Sequence, residues 1–244
     1  MKTTLLVVGL AVALCPGLLH ATPVSYMGKL TNYLGTDGNG NITVISIGGD
    51  ERWSSSAAAI SWKVGNTAPG LWHYEYTITV ADGGTLSMDI QCVILETSST
   101  FGWENLDLVG TTPADWLAGV TIDSFSRSKI QNLPSDVYGI MFCTTAVDPT
   151  TLTICFDSDR EPVWGDIYVR SFTFDGSYNT MHNAGWTSTD MDPNDPASDG
   201  SIRSHVLVPD TVGSSDGRIP VPGAALLGAL GVAITGWLQG RRRL

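Results

Sequence analysis

LWHYEYTITV, residues 71–80, carries the pattern that decides the fold class. From Trp72 to Val80, each even-numbered side chain is aromatic or β-branched and each odd-numbered one is polar. A period of two places successive side chains on opposite faces of a β-strand, whereas a helix would repeat every 3.6 residues. The segment therefore predicts a β-strand that is buried on one face.

The same period recurs through the body of the chain. A turn at Asp82-Gly83-Gly84 separates residues 71–80 from a second alternating run, and Asp148-Pro149 separates another such pair. We therefore predict two hairpins, within residues 71–95 and 137–157, with further strands at residues 42–47, 166–174 and 204–208. Strands separated by Gly, Asp and Pro turns predict an all-β, antiparallel β-sandwich of the jelly-roll or immunoglobulin-like type over residues 22–209.

The N-terminus has the pattern of a secretory signal peptide. Lys2 provides the positive region, residues 5–14 the apolar core, and Pro16-Gly17 the break before a small residue at Ala21. This order is the one that signal peptidase requires. We expect residues 1–21 to be removed on export.

The C-terminus has the pattern of a membrane anchor. No charged residue occurs between Arg218 and Arg241, and a helix from Gly223 to Gly240 would be about 27 Å long, enough to span the hydrocarbon core. Residues 210–218 then form a linker. The arginines at the end predict an orientation with the tail inside and the body outside.

Residues 219–244 resemble the PEP-CTERM sorting signal of exported bacterial proteins, in which a Pro-Glu-Pro motif precedes a membrane helix and an Arg-rich end. Val221 stands where that family has an acidic residue. The residues that carry the resemblance are Pro220, Val221, Pro222, Gly223, Arg241, Arg242 and Arg243. The resemblance implies recognition by an exosortase, a membrane sorting enzyme, with removal of the tail and release or transfer of the body to the cell surface.

The body is strongly acidic. Residues 22–240 contain all 24 acidic side chains of the chain but only nine of its 13 lysines and arginines, a net charge of −15. Such a surface repels phosphate backbones, which excludes nucleic acid as a partner. Binding of cations or of neutral polysaccharide stays open.

Three cysteines remain after signal removal. The parity of the second predicted hairpin places Cys143 opposite Cys155, on the face away from Phe142 and Phe156, and this predicts a disulfide between the two. Two free thiols are the alternative. Cys92 shares its parity with apolar residues, and we expect it to lie in the core as a small hydrophobic side chain.

The densest acidic cluster suggests a ligand or calcium loop. Closely spaced oxygen ligands suit Ca²⁺, and a tryptophan among them would stack on a sugar. The residues concerned are Asp157, Asp159, Glu161, Trp164 and Asp166. An ordinary solvated turn is the alternative. The histidines of the body show no zinc-ligand spacing, so the sequence leaves the metal unknown and predicts no other cofactor.

Two classes of function fit these observations. The first is a non-catalytic cell-surface or extracellular-matrix protein, sorted through its tail and in contact with exopolysaccharide or other surface components. The second is an extracellular carbohydrate-active hydrolase on the same scaffold, because a β-sandwich supports either. The sequence contains no nucleophile elbow, zinc-protease motif or phosphate loop, and it identifies no catalytic residue. We therefore expect a non-catalytic protein.

Overall fold

The structure is a computed structural model that describes residues 24–32, 38–48, 53, 58–68, 70–80, 90–114, 119–143, 150–171, 178–187 and 197–209. The predicted signal peptide, the linker and the PEP-CTERM-like tail, with all seven of its motif residues, lie outside these ranges. Within them, no helix is both long enough and apolar enough to cross a bilayer.

The described part of the chain is mostly β-strand, which confirms the all-β class. Its strands are β1 Ser25–Thr31, β2 Gly40–Ile47, β3 Ala59–Ala68, β4 Leu71–Thr79, β5 Cys92–Glu96, β6 Asp107–Thr112, β7 Gly119–Phe125, β8 Val137–Cys143, β9 Thr151–Ser158, β10 Pro162–Gly165, β11 Ile167–Arg170, β12 Tyr178–Asn183 and β13 Val206–Pro209. Two short 3-10 helices, Trp103–Asn105 and Ala184–Thr187, complete the described elements.

Eleven strands form one curled sheet in the order β6-β9-β4-β3-β1-β2-β12-β11-β5-β8-β7, and β10 pairs with β13 separately. The β1–β2 pair, which joins the two halves of the sheet, is parallel, so the sheet is not purely antiparallel as predicted. A residue larger than glycine would not fit at position 28 of β1, because the indole of Trp62 on β3 fills the space where a Cβ would stand.

The inner faces of the two halves enclose one apolar core. Phe142 on β8 stacks on Phe156 on β9 with 6.1 Å between ring centroids, although these strands belong to opposite halves. Tyr74 stacks on Phe156 at 5.2 Å, and the hydroxyl of buried Tyr76 donates to the carbonyl of Leu207 on β13, 2.7 Å away. The curled sheet thus brings together side chains that are far apart in the sequence.

Both predicted hairpins are wrong, although strands are present in both segments. Residues 81–89, where the first hairpin has its turn and the start of its second strand, lie outside the described residues. β4 pairs with β3 and β9, whereas β5 pairs with β11 and β8. Similarly, β8 pairs with β5 and β7, and β9 pairs with β4 and β6. The chain therefore crosses from one half of the sheet to the other between these strands. Alternation determines which face of a strand is buried, but it does not determine the partner strand.

The disulfide also differs from the prediction. Cys143 is bonded to Cys92, its direct neighbour across the β5–β8 pair, and Cys155 is a free thiol on β9 in the other half. Cys92 is buried, but it shares the face of Ile94, which packs outside the main core, while Val93 and Leu95 point into that core. Because β5 is apolar on both faces, the odd or even position of a residue does not show which face points into the main core.

We predict that Cys92→Ala lowers the free energy of unfolding by roughly 2–4 kcal/mol, because the lost bond joins residues 51 apart in the sequence and restricts the unfolded chain. Chemical denaturation followed by tryptophan fluorescence measures the change. Cys155→Ala is the matched control, and its unfolding should stay as sensitive to reductant as that of the wild type. A destabilised Cys155→Ala beside an unaffected Cys92→Ala would instead indicate the Cys143–Cys155 bond.

Candidate functional site

Four chemically active side chains meet on the outer face of the β4–β9 pair. His73 lies opposite Asp157, and Glu75 lies opposite Cys155. The four residues therefore form two neighbouring cross-strand pairs on one face of the sheet. Their even-numbered neighbours Tyr74, Tyr76 and Phe156 are fully buried in the core. The alternation along each strand therefore directs the odd-numbered side chains outward. We call these four residues the β4–β9 cluster.

A short hydrogen bond fixes the histidine of the β4–β9 cluster. His73 Nδ1 lies 2.6 Å from Asp157 Oδ1, and the two side chains are 31% and 22% exposed. An ionised carboxylate only accepts hydrogen bonds, so Nδ1 is the donor. In neutral His73 this leaves Nε2 with its lone pair available to a ligand.

The thiol of the cluster is not an activated nucleophile. Partial burial raises the pKa of Cys155, and the neighbouring carboxylates of Glu75 and Asp157 raise that pKa further. A raised pKa keeps the thiol protonated at neutral pH, whereas catalytic cysteines lie in electropositive surroundings that favour the thiolate. The cluster is therefore better suited to binding than to thiol catalysis.

Nitrogen, oxygen and sulfur donors lie close together in the β4–β9 cluster. One ligand atom from each of His73, Glu75 and Cys155 lies within 4.8 Å of the other two, and all three side chains are half-buried. Lys63 on β3 is the next residue across from Glu75, on the side away from Cys155. On the opposite side of the cluster, next to β9, Gly110 of the edge strand β6 lies opposite Cys155. The space where a Cβ of Gly110 would stand is open.

The predicted calcium loop does not form one surface. Asp157 belongs to the β4–β9 cluster, and Asp159 accepts a hydrogen bond from Asn105 Nδ2 at 2.9 Å, while Glu161 is exposed. Trp164 is only 4% exposed and packs in the main core, so its ring is not available to a sugar. Of the five predicted residues, Asp166 is the one that lies in a buried polar network.

That network lies where β5 and β12 end and β11 begins. Asp166 Oδ1 accepts from Asn183 Nδ2 at 2.7 Å and lies 3.5 Å from His205 Nε2. The backbone N–H of Asp166 donates to Glu96 Oε2 at 2.9 Å. Asp166 and His205 are almost fully buried, so their role is to satisfy polar groups where strands end.

An exposed tryptophan, which the sequence analysis did not single out, lies beside β6. Trp103 opens a 3-10 helix and is 56% exposed. Asn105 holds this helix in place, because its Oδ1 accepts from the N–H of Gly102 and its Nδ2 donates to Asp159, each at 2.9 Å. The structure thus presents a flat indole face to solvent on a well-supported turn.

A second apolar cluster covers the outer face of the other half of the sheet. It comprises Ile94, Phe125, Leu133, Val137, Tyr168 and Trp186. His182 on β12 lies edge-on to Trp186, with 6.0 Å between ring centroids, and it is only 7% exposed. Burial lowers the pKa of His182 to about 4, and its Nδ1 has no hydrogen-bond partner among the described residues.

Neither a protein-family model, nor a curated protein, nor a solved structure gives a significant match to this chain. The functional assignment therefore rests on the residues themselves.

We predict that His182 destabilises the fold as the pH falls. The folded protein binds this proton with a pKa of about 4, whereas an unfolded histidine has a pKa near 6.5, so stability is lost progressively below about pH 6.5. The loss amounts to at most about 3 kcal/mol by pH 4. The unfolding free energy of the wild type minus that of His182→Gln, measured across this range, should fall as the pH falls. A constant difference between the two proteins would contradict the assignment.

Proposed function

We propose that this is an exported, non-catalytic cell-surface or extracellular-matrix protein, sorted through its C-terminal tail. Residues 1–21 direct export, a membrane helix at about 223–240 holds the chain at least transiently, and an exosortase-like enzyme acts on the tail. The mature body reaches the cell surface or the extracellular space. It is proposed to be a β-sandwich of the jelly-roll or immunoglobulin-like type.

One structural observation supports export above the others. The Cys92–Cys143 disulfide joins two central strands of one half of the sheet. Disulfides persist in oxidising compartments and are rare in the cytosol. The bond therefore agrees with the signal-peptide pattern at the N-terminus, which was identified from quite different residues.

Polysaccharide is the proposed partner of the body. Trp103 offers an exposed aromatic face, and aromatic faces stack on the apolar faces of sugar rings. Glu104 beside it is exposed and supplies acceptors for sugar hydroxyls. The acidic body as a whole favours a neutral polymer over an anionic one.

We predict that the body is recovered from the surface or the medium of its native host with a mass that lacks residues 1–21 and the tail. Replacing Arg241, Arg242 and Arg243 with alanine should leave uncleaved protein in the cells, because the orienting charges are lost. The triple lysine variant is the control, since it keeps the charge and separates membrane orientation from recognition of arginine. Recovery of the wild type from the cytoplasm with residues 1–21 still present would overturn the proposal.

We predict that Trp103→Ala weakens retention on the host's immobilised exopolysaccharide by roughly 10-fold, about 1.4 kcal/mol, because the stacking surface is lost. Val109→Ala is the matched control, since Val109 on β6 is equally exposed and carries no ring. Equal retention of the two variants would exclude Trp103 as the contact. The same polymer is assayed for new reducing ends, and their appearance would favour the hydrolase instead.

A further inference from the structure

The residues of the β4–β9 cluster have no role in the proposed surface function. We propose that His73, Glu75 and Cys155 bind a divalent transition-metal ion of the zinc type on the outer face of the sheet. The inference rests on the geometry of the cluster, and it does not depend on export or on polysaccharide binding.

The donor atoms select the class of metal. Thiolate sulfur and imidazole nitrogen are ligands of Zn²⁺ and related transition ions, whereas Ca²⁺ and Mg²⁺ are bound through oxygen. When the ion binds, the S–H bond of Cys155 breaks and its proton is released to solvent. One ligand atom from each of the three residues lies within 4.8 Å of the other two, and the histidine atom is one of the two ring nitrogens. In a tetrahedral zinc site the donors are roughly 3.5 Å apart, given metal–ligand distances of about 2.0–2.3 Å. Glu75 and Cys155 would close this difference by side-chain rotation, while the hydrogen bond to Asp157 holds His73 in place.

Asp157 positions the histidine of the proposed site. Metal-binding histidines commonly donate their other ring N–H to a carboxylate, which fixes the tautomer and the ring orientation. His73 Nδ1 lies 2.6 Å from Asp157 Oδ1, and because an ionised carboxylate only accepts, this contact corresponds to such a bond with Nδ1 as the donor. The remaining nitrogen, Nε2, is then the metal-binding atom. Asp157 is accordingly a positioning residue and not a ligand.

The edge strand leaves room for a fourth ligand. β6 contains a bulge between Leu108 and Gly110, and Gly110 lies directly opposite Cys155. Nothing lies within 4 Å of the position that a Cβ of Gly110 would occupy. Because Gly110 has no side chain, this space beside Cys155 stays unfilled. Three protein ligands with an open position allow water or a partner's side chain to complete the coordination.

The experiment titrates Zn²⁺ into the purified full-length protein by calorimetry, without reductant so that the Cys92–Cys143 bond is kept. We expect one ion to bind per chain. Cys155→Ser and His73→Ala should each weaken binding by about 100-fold or more, and Asp157→Asn by roughly 10- to 100-fold, as for other outer-shell partners. Asp123→Asn, which removes an exposed carboxylate on β7 in the other half of the sheet, is the control and should bind as the wild type does.

Two further readouts separate a metal site from a structural role. Co²⁺ bound to the wild type should show thiolate-to-cobalt charge-transfer absorption, and this band should be absent in Cys155→Ser. If a variant fails to fold, as judged by circular dichroism, the wild type alone decides, because Zn²⁺ should slow alkylation of Cys155 at least 10-fold. Binding that survives in the double variant Cys155→Ser with His73→Ala, or an alkylation rate that Zn²⁺ does not change, would overturn the proposal.

Discussion

Eight residues of β4 pair with eight residues of β9 in an unbroken antiparallel register, from Trp72 opposite Ser158 to Thr79 opposite Thr151. This pairing fixes both faces of the sheet at once. On the inner face it stacks Tyr74 against Phe156, and on the outer face it sets His73 beside Asp157. Because side chains alternate along each strand, a shift of one residue would expose the aromatic rings and bury the charged groups. The core therefore enforces the register that assembles the outer cluster.

The second half of the sheet stabilises this arrangement from the opposite side. Phe142 on β8 closes over Phe156, and the disulfide from Cys143 ties β8 to β5 behind it. Thus the oxidised pair supports one layer of the core, while the free thiol of Cys155 lies on the outer surface of the other layer. The bonded cysteines Cys92 and Cys143 crosslink two strands, whereas Cys155 keeps a thiol that is partly exposed to solvent and to ligands.

The sequence predicted elements better than it predicted contacts. The period of two in residues 71–80 gave the position and the buried face of β4, and the strands near residues 42–47, 166–174 and 204–208 are present. Partner strands were missed because the pairing of β4 with β9 spans about 80 residues, and local alternation carries no information about distant partners.

The same limit applies to the site. Parity shows that His73 and Glu75 share the outer face of one strand, but it cannot show that Cys155 lies across from them. The acidic neighbours of Trp164 in the sequence predict a ligand-binding ring, but the structure buries this ring in the core, whereas Trp103 is identified only by its exposure. A side chain's neighbours in sequence were therefore a poor guide to its surroundings on the short strands and turns of this chain.

A cross-linking measurement tests the β4–β9 register most directly. The hydroxyls of Thr77 and Thr153, two pairs further along from Glu75 and Cys155 and on the same face, lie 3.2 Å apart. With Cys155→Ala as background, Thr77→Cys with Thr153→Cys should form a disulfide on mild oxidation, detected by peptide mapping. Thr77→Cys with Thr151→Cys should not, because diagonal neighbours are about 7–8 Å apart. Cross-linking of the diagonal pair, or of neither pair, would contradict the register on which the cluster depends.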